Sequence, residues 1–273
     1  MNYTTPQPTK NIALILGTIF LLISISLSWF LFAVNADKVK NKIFPEAYYN
    51  ALKDVEEVRP EEISNNLVAI VKNNSLIQWQ GDRLKVATFA KAKYTYEVGS
   101  AKPQQRDMWV TTVPELKNFC TNYSLTTGKE ATPRIEQLLG LPPGNNEPRK
   151  IVEFWVSAKD LFRPTPDPEI SDREAELEFR SANEFSSISN KYKDWYNHEL
   201  SSFNSRMKEM NPDKMPAPWT RLGYTYDWGD SSDHVGLSEF VVAQGASLEV
   251  DSVTTVDDYC RGDRAIAMTN FTK

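Results

Sequence analysis

Residues 151–156 read Ile-Val-Glu-Phe-Trp-Val, five apolar side chains around one glutamate. A short apolar run between turn signals, here Pro142-Pro143-Gly144 before it and Pro164 after it, is the pattern of a strand covered on both faces. This stretch is therefore the expected centre of a sheet, and the neighbouring elements are read outward from it.

Upstream, residues 84–89, then Tyr94, Tyr96 and Val98, then residues 109–113 alternate as strands, separated by residues 91–93 and a polar stretch at 99–107. Three successive strands predict an antiparallel meander. Thr112, Pro114 and Glu115 carry the chemistry of a helix start, and Leu116, Phe119 and Cys120 then fall on one face, so Cys120 points inward. A short helix at 133–139 stops at Gly140. Helical spacing of Ile43, Ala47, Tyr48, Leu52 and Val55 predicts a further helix, and residues 61–71 a second helical stretch.

Downstream, a helical turn at 158–162 runs into Arg-Pro-Thr-Pro-Asp-Pro-Glu (163–169), where proline at every second position blocks both helix and central sheet. An extended surface segment is expected there, and a boundary between two halves would fall near 163–170. The acids around it, with Arg163, Arg173 and Arg180 interspersed, read as a solvated, mutually paired surface. Tyr192, Trp195, Tyr196, Leu200 and Phe203 form a helical stripe that leaves His198 facing solvent. Leu222, Tyr224, Tyr226 and Trp228 alternate with polar residues as a strand. Residues 229–234 then turn into residues 237–242 as a hairpin, and 248–253 is a further strand.

At the amino end, residues 11–34 (NIALILGTIFLLISISLSWFLFAV) carry no charge and as a helix would be about 36 Å long, enough to span a bilayer. The competing reading is a cleaved signal peptide, with small residues at Val34 and Ala36, although the apolar stretch is long for that role. Lys38, Lys40 and Lys42 follow the span, but long domains translocate largely regardless of such charges. The expectation is an α+β protein. It has a short tail at 1–10, one amino-terminal transmembrane signal-anchor helix at 11–35, a membrane-proximal helix or linker at 36–60, and a largely antiparallel sheet with packed helices at 61–273. The soluble domain would be extracytoplasmic, on a single-pass cell membrane protein.

Lys10 is the only charged side chain before Asp37, so a chain with 31 basic and 36 acidic residues places all its acids in the domain. Such a domain lacks the clustered bases that phosphate binding needs, and nucleic acid is set aside as a partner. Cys120 and Cys260 belong to no metal-ligand spacing. They could form one bridge, worth on the order of 4 to 5 kcal/mol in the chain-entropy account, or stay unpaired as small hydrophobes.

Two histidines in the chain restrict acid–base chemistry. His234 has Asp230 nearby and Glu239 following in the hairpin, the candidate acid–base group of an anchored hydrolase acting on an envelope polymer. Ordinary turn chemistry explains the same residues. No nucleotide, dinucleotide or zincin motif is present, and neither a cofactor nor a metal is expected. The most unusual feature is aromatic density: Trp219, Tyr224, Tyr226 and Trp228, with Arg221, would form a binding face for a protein or glycan. The opposing reading packs these rings as core. The expected function is a non-catalytic envelope binding or assembly protein; a structural subunit of a membrane complex is the third reading.

Overall fold

The computed structural model describes residues 44–143, 147–179 and 188–261. The apolar run at 11–34 lies outside them, and among the described residues no helix is long and apolar enough to cross a membrane.

The central strand is where its sequence put it. β5 (Arg149–Ser157) runs antiparallel between β2 (Arg83–Lys91) and β10 (Ser247–Thr255), with Phe154 opposite Val86 on one side and Val250 on the other. Ile151, Val152, Phe154 and Val156 are all buried, as a strand covered on both faces requires. The remaining strands are β1 (Trp79–Gln80), β3 (Ala101–Pro103), β4 (Met108–Thr112), β6 (Leu161–Phe162) and β9 (Phe240–Val242). The sheet order is β3-β10-β5-β2-β4-β9-β6, with β1 also on β2, and every pairing is antiparallel. A separate two-stranded sheet pairs β7 (Tyr224–Tyr226) with β8 (Val235–Ser238).

Strand alternation sorts the core into two faces. Leu84, Val86, Val152, Phe154 and Val156 join Val110, Phe240 and Val250 on one side. Ala87, Phe89 and Ile151 pack on the other against the helices α2 (Val113–Thr127), α3 (Thr132–Leu138) and α5 (Val256–Arg261). Gly128 closes α2 in the left-handed conformation, the usual glycine role at a helix end. Two further helices, α1 (Glu46–Asp54) and α4 (Asn190–Glu209), pack around Tyr48, Tyr196, Phe203 and Trp219.

Four sequence expectations are corrected. Residues 94–98 form no strand: the segment crosses over the sheet to place β3 on the far edge beside β10, laying Tyr96 against Phe154 (5.7 Å), so β2 to β4 is not a meander. Residues 61–71 give only a 3-10 turn at Pro60–Glu62; Leu67 to Ile70 run extended because four consecutive apolar residues are buried together. The alternation at 222–228 yields just three strand residues. Before them Arg221 (φ 62°) and Gly223 (φ 74°) make a turn, and after them Asp227 is held by both guanidinium nitrogens of Arg134.

The proline segment is the fourth correction: Arg163, Pro164, Thr165, Pro166 and Asp167 are buried. Prolines bring no N–H group into the interior, which lowers the cost of burying such a loop. Arg163, 1% exposed, satisfies what remains, donating to the Asp172 carboxylate (2.6 Å) and to the carbonyls of Val68, Asp172 and Glu174. Arg173 and the acids from Asp172 to Glu176 keep at least partial exposure apart from buried Ala175 between them, and Arg180 lies outside the described residues.

Candidate functional site

The sequence offered Trp219, Arg221, Tyr224, Tyr226 and Trp228 either as a binding face or as rings packed into the core. Trp219 (8% exposed), Tyr224 (1%) and Trp228 (7%) are buried, and Tyr226 and Arg221 are half-buried. Trp219 sits edge-on to Trp109 (5.8 Å) and near Tyr196 and Phe203; Trp228 packs on Tyr48 and donates its Nε1 to the Leu141 carbonyl (3.1 Å). The hydroxyl of Tyr224 donates to the Glu62 carbonyl (2.9 Å), and Arg221 reaches the carbonyl of Val55. These rings are packed inward by both their strand and the α4 stripe.

Two of the five, Trp219 and Tyr226, line a cavity of about 740 Å³. Its walls come from separate elements: Ala87 and Phe89 of β2, Trp109 and Val110 of β4, Phe203 of α4, and the segment from Met215 to Trp219. Polar atoms in the walls are largely spent on the protein. Thr88 donates to the Trp109 carbonyl, Thr111 to Glu115, and Thr225 to the Leu138 carbonyl. Away from the exposed margin, two groups are left without a partner among the described residues: the buried Trp219 Nε1 has no acceptor, and the Glu239 carboxyl makes no hydrogen bond or ion pair.

Glu239 stands between β8 and β9, its N–H donating to the Gly223 carbonyl (2.9 Å). The residue is half-buried and its side chain forms part of the cavity wall. Burial pushes this carboxyl up to about 8, since a charge without a partner is disfavoured in an apolar setting. The other charged residues of the lining, Asp107, Glu199, Arg206 and Lys214, are two acids and two bases at half-buried or exposed positions.

His234 and Asp230 lie elsewhere. Asp230 is exposed and accepts from Ser232 N and Oγ (2.9 and 2.7 Å), hydrogen bonds that hold its carboxyl below the usual range. His234 stacks on Tyr226 (4.9 Å), its Nε2 3.4 Å from the Tyr224 hydroxyl. Ligand atoms of His234, Asp54 and Glu62 all lie within 4.8 Å of one another. That set suits a divalent ion by type, but every carboxylate oxygen already accepts a hydrogen bond. Arg59 Nη2 reaches Asp54 (2.9 Å) and Glu62 (2.6 Å), Tyr226 Oη reaches Asp54 (2.9 Å), and Arg59 N reaches Glu62 (2.7 Å). The guanidinium supplies the positive charge the carboxylates need. No hydrogen bond joins Asp230, His234 and Glu239. Ser238, buried beside Glu239, donates to Glu115 (3.0 Å) and accepts from Val68 N (2.8 Å).

Cys120 of α2 and Cys260 of α5 are paired at disulfide distance, Cα to Cα 5.0 Å across 140 residues of sequence. His198 is exposed on α4, as its helical angle predicted.

Neither a family model nor a curated protein nor a solved structure matches this chain.

Proposed function

We propose that this chain is a non-catalytic binding protein that takes an apolar small molecule into the cavity between β2, β4, α4 and the Met215-to-Trp219 segment. The carrying observation is a 740 Å³ space walled by aromatic and aliphatic side chains in which one carboxyl stands without a protein partner. Binding sites are typically of this size and character: mostly apolar, with few polar groups to fix orientation. Trp219 and Tyr226, two of the residues that suggested a binding face, serve the same end from within. The uncharged run at 11–34 supports a membrane-anchored protein, and the Cys120–Cys260 pair supports an extracytoplasmic domain, because disulfides persist in oxidising compartments.

Ala217 provides the test, being an exposed residue on the cavity lining. Replacing Ala217 with Trp should weaken binding of the neutral fluorophore N-phenyl-1-naphthylamine at least tenfold, with stability within about 0.5 kcal/mol of the parent as expected for a surface change. Fluorophore binding that ignores Ala217→Trp, or fails in the parent, overturns the proposal.

A further inference from the structure

We infer that the ligand of this cavity is an organic amine, bound as an ammonium ion against the Glu239 carboxylate with its apolar body on the Trp109, Trp219 and Phe203 walls. The inference rests on the binding reading above and names the chemistry of its ligand. Three observations carry it. The Glu239 carboxyl has no hydrogen bond or ion pair among the described residues, in a chain where buried Arg163 and half-buried Arg134 are matched by carboxylates. A charge left alone in an apolar site is costly, whereas the same charge paired with a cation is not. The walls are aromatic, and ring faces attract cations.

The remaining titratable groups of the lining do not supply that cation. Asp107 is engaged by Trp195 Nε1 (2.7 Å) and Gln244 N (2.7 Å), and the Tyr226 hydroxyl by Asp54. Arg206 and Lys214 are exposed at the margin, where Glu199 and Asp107 balance them in charge. The carboxyl left without a cation is the one in the cavity wall, Glu239. Without ligand Glu239 holds its proton at neutral pH; when the ammonium binds, that proton leaves to the buffer and the carboxylate pairs with the ammonium.

Three probes of matched body separate the cases: 4-phenylbutylamine, 4-phenylbutanol and 4-phenylbutyrate, titrated calorimetrically into the full chain. At pH 8 the amine should bind at least tenfold more tightly than the alcohol, and the carboxylate no better than the alcohol. At pH 6.5 amine binding should release up to one proton, read from heats in buffers of different ionisation enthalpy. In Glu239→Gln, checked for folding by circular dichroism, amine and alcohol should bind alike. Should that variant not fold, the parent still decides, because amine affinity must rise with pH and level off above about pH 8. Equal binding of amine and alcohol, no proton release, or preference for the carboxylate overturns the amine assignment and leaves the cavity reading standing. Failure of all three probes overturns the cavity reading itself.

Discussion

Glu239 gives the sharpest residue-scale expectation, because it works against the fold. Its folded value of about 8 lies above the ordinary 4.5 it recovers on unfolding, so between those values the folded state holds more protons than the unfolded chain. Stability from this group is therefore full below about pH 4.5 and is lost as pH rises toward 8. Glu239→Gln removes the dependence: urea unfolding should show almost no gain at pH 4.5, rising to roughly 5 kcal/mol above pH 8. A gain that does not vary with pH would mean that Glu239 is solvated. Sequence spacing could single out Glu239 but not its setting. Whether a carboxyl in a hairpin meets water or Trp219 depends on α4 and β4, far away in the chain.

At the scale of elements, the buried proline loop depends on Arg163. Truncation to alanine strips donors from three carbonyls and leaves Asp172, itself partly exposed, without its guanidinium, a loss of about 1 to 3 kcal/mol. Arg163→Ala should show that loss in chemical denaturation, with early proteolytic cleavage between 163 and 179; a loss below about 1 kcal/mol would mean the loop is held by its other contacts. Such contacts exist, for the single Tyr192 hydroxyl proton of α4 is shared between the carbonyls of Thr165 (2.6 Å) and Arg163 (2.9 Å). The local rule that prolines belong at the surface failed here because a distant tyrosine meets the loop's carbonyls and the enclosed Arg163 ties the loop to Val68, Asp172 and Glu174. The short β7 has the same origin. The alternation from Leu222 to Trp228 is genuine, but Asp227 is captured by Arg134 of α3, and the strand ends there.

For the whole molecule, the Cys120–Cys260 link closes a loop of 140 residues and ties α2 to α5 behind the sheet. Cross-linking so long a loop is worth about 4 to 5 kcal/mol in the chain-entropy account, so Cys260→Ser should lower unfolding stability by an amount of that order. Maleimide labelling of denatured protein, blocked at harvest, tests the compartment. Labelling that requires prior reduction is the outcome expected of an extracytoplasmic domain, and labelling without it would return the domain to the cytoplasmic side.

Much of the architecture was legible from residue order, because strand and helix periodicities are local. The central strand at 151–156, the strands at 84–89 and 248–253, the α4 stripe, the inward Cys120 and the solvent-facing His198 each follow from which neighbours two, three or four residues away are apolar. The long uncharged run at 11–34 is equally local and marks a candidate span by length alone. Tertiary contacts decided the site. Asp54 and Glu62 meet His234 across more than half the chain, and the aromatic residues 219–228 turn inward because α1, α4 and β4 cover them. Glu239 faces a cavity that no stretch of sequence contains. Periodicity reports how one element divides its faces; what lies opposite each face depends on chain crossings that are encoded only when the whole core closes.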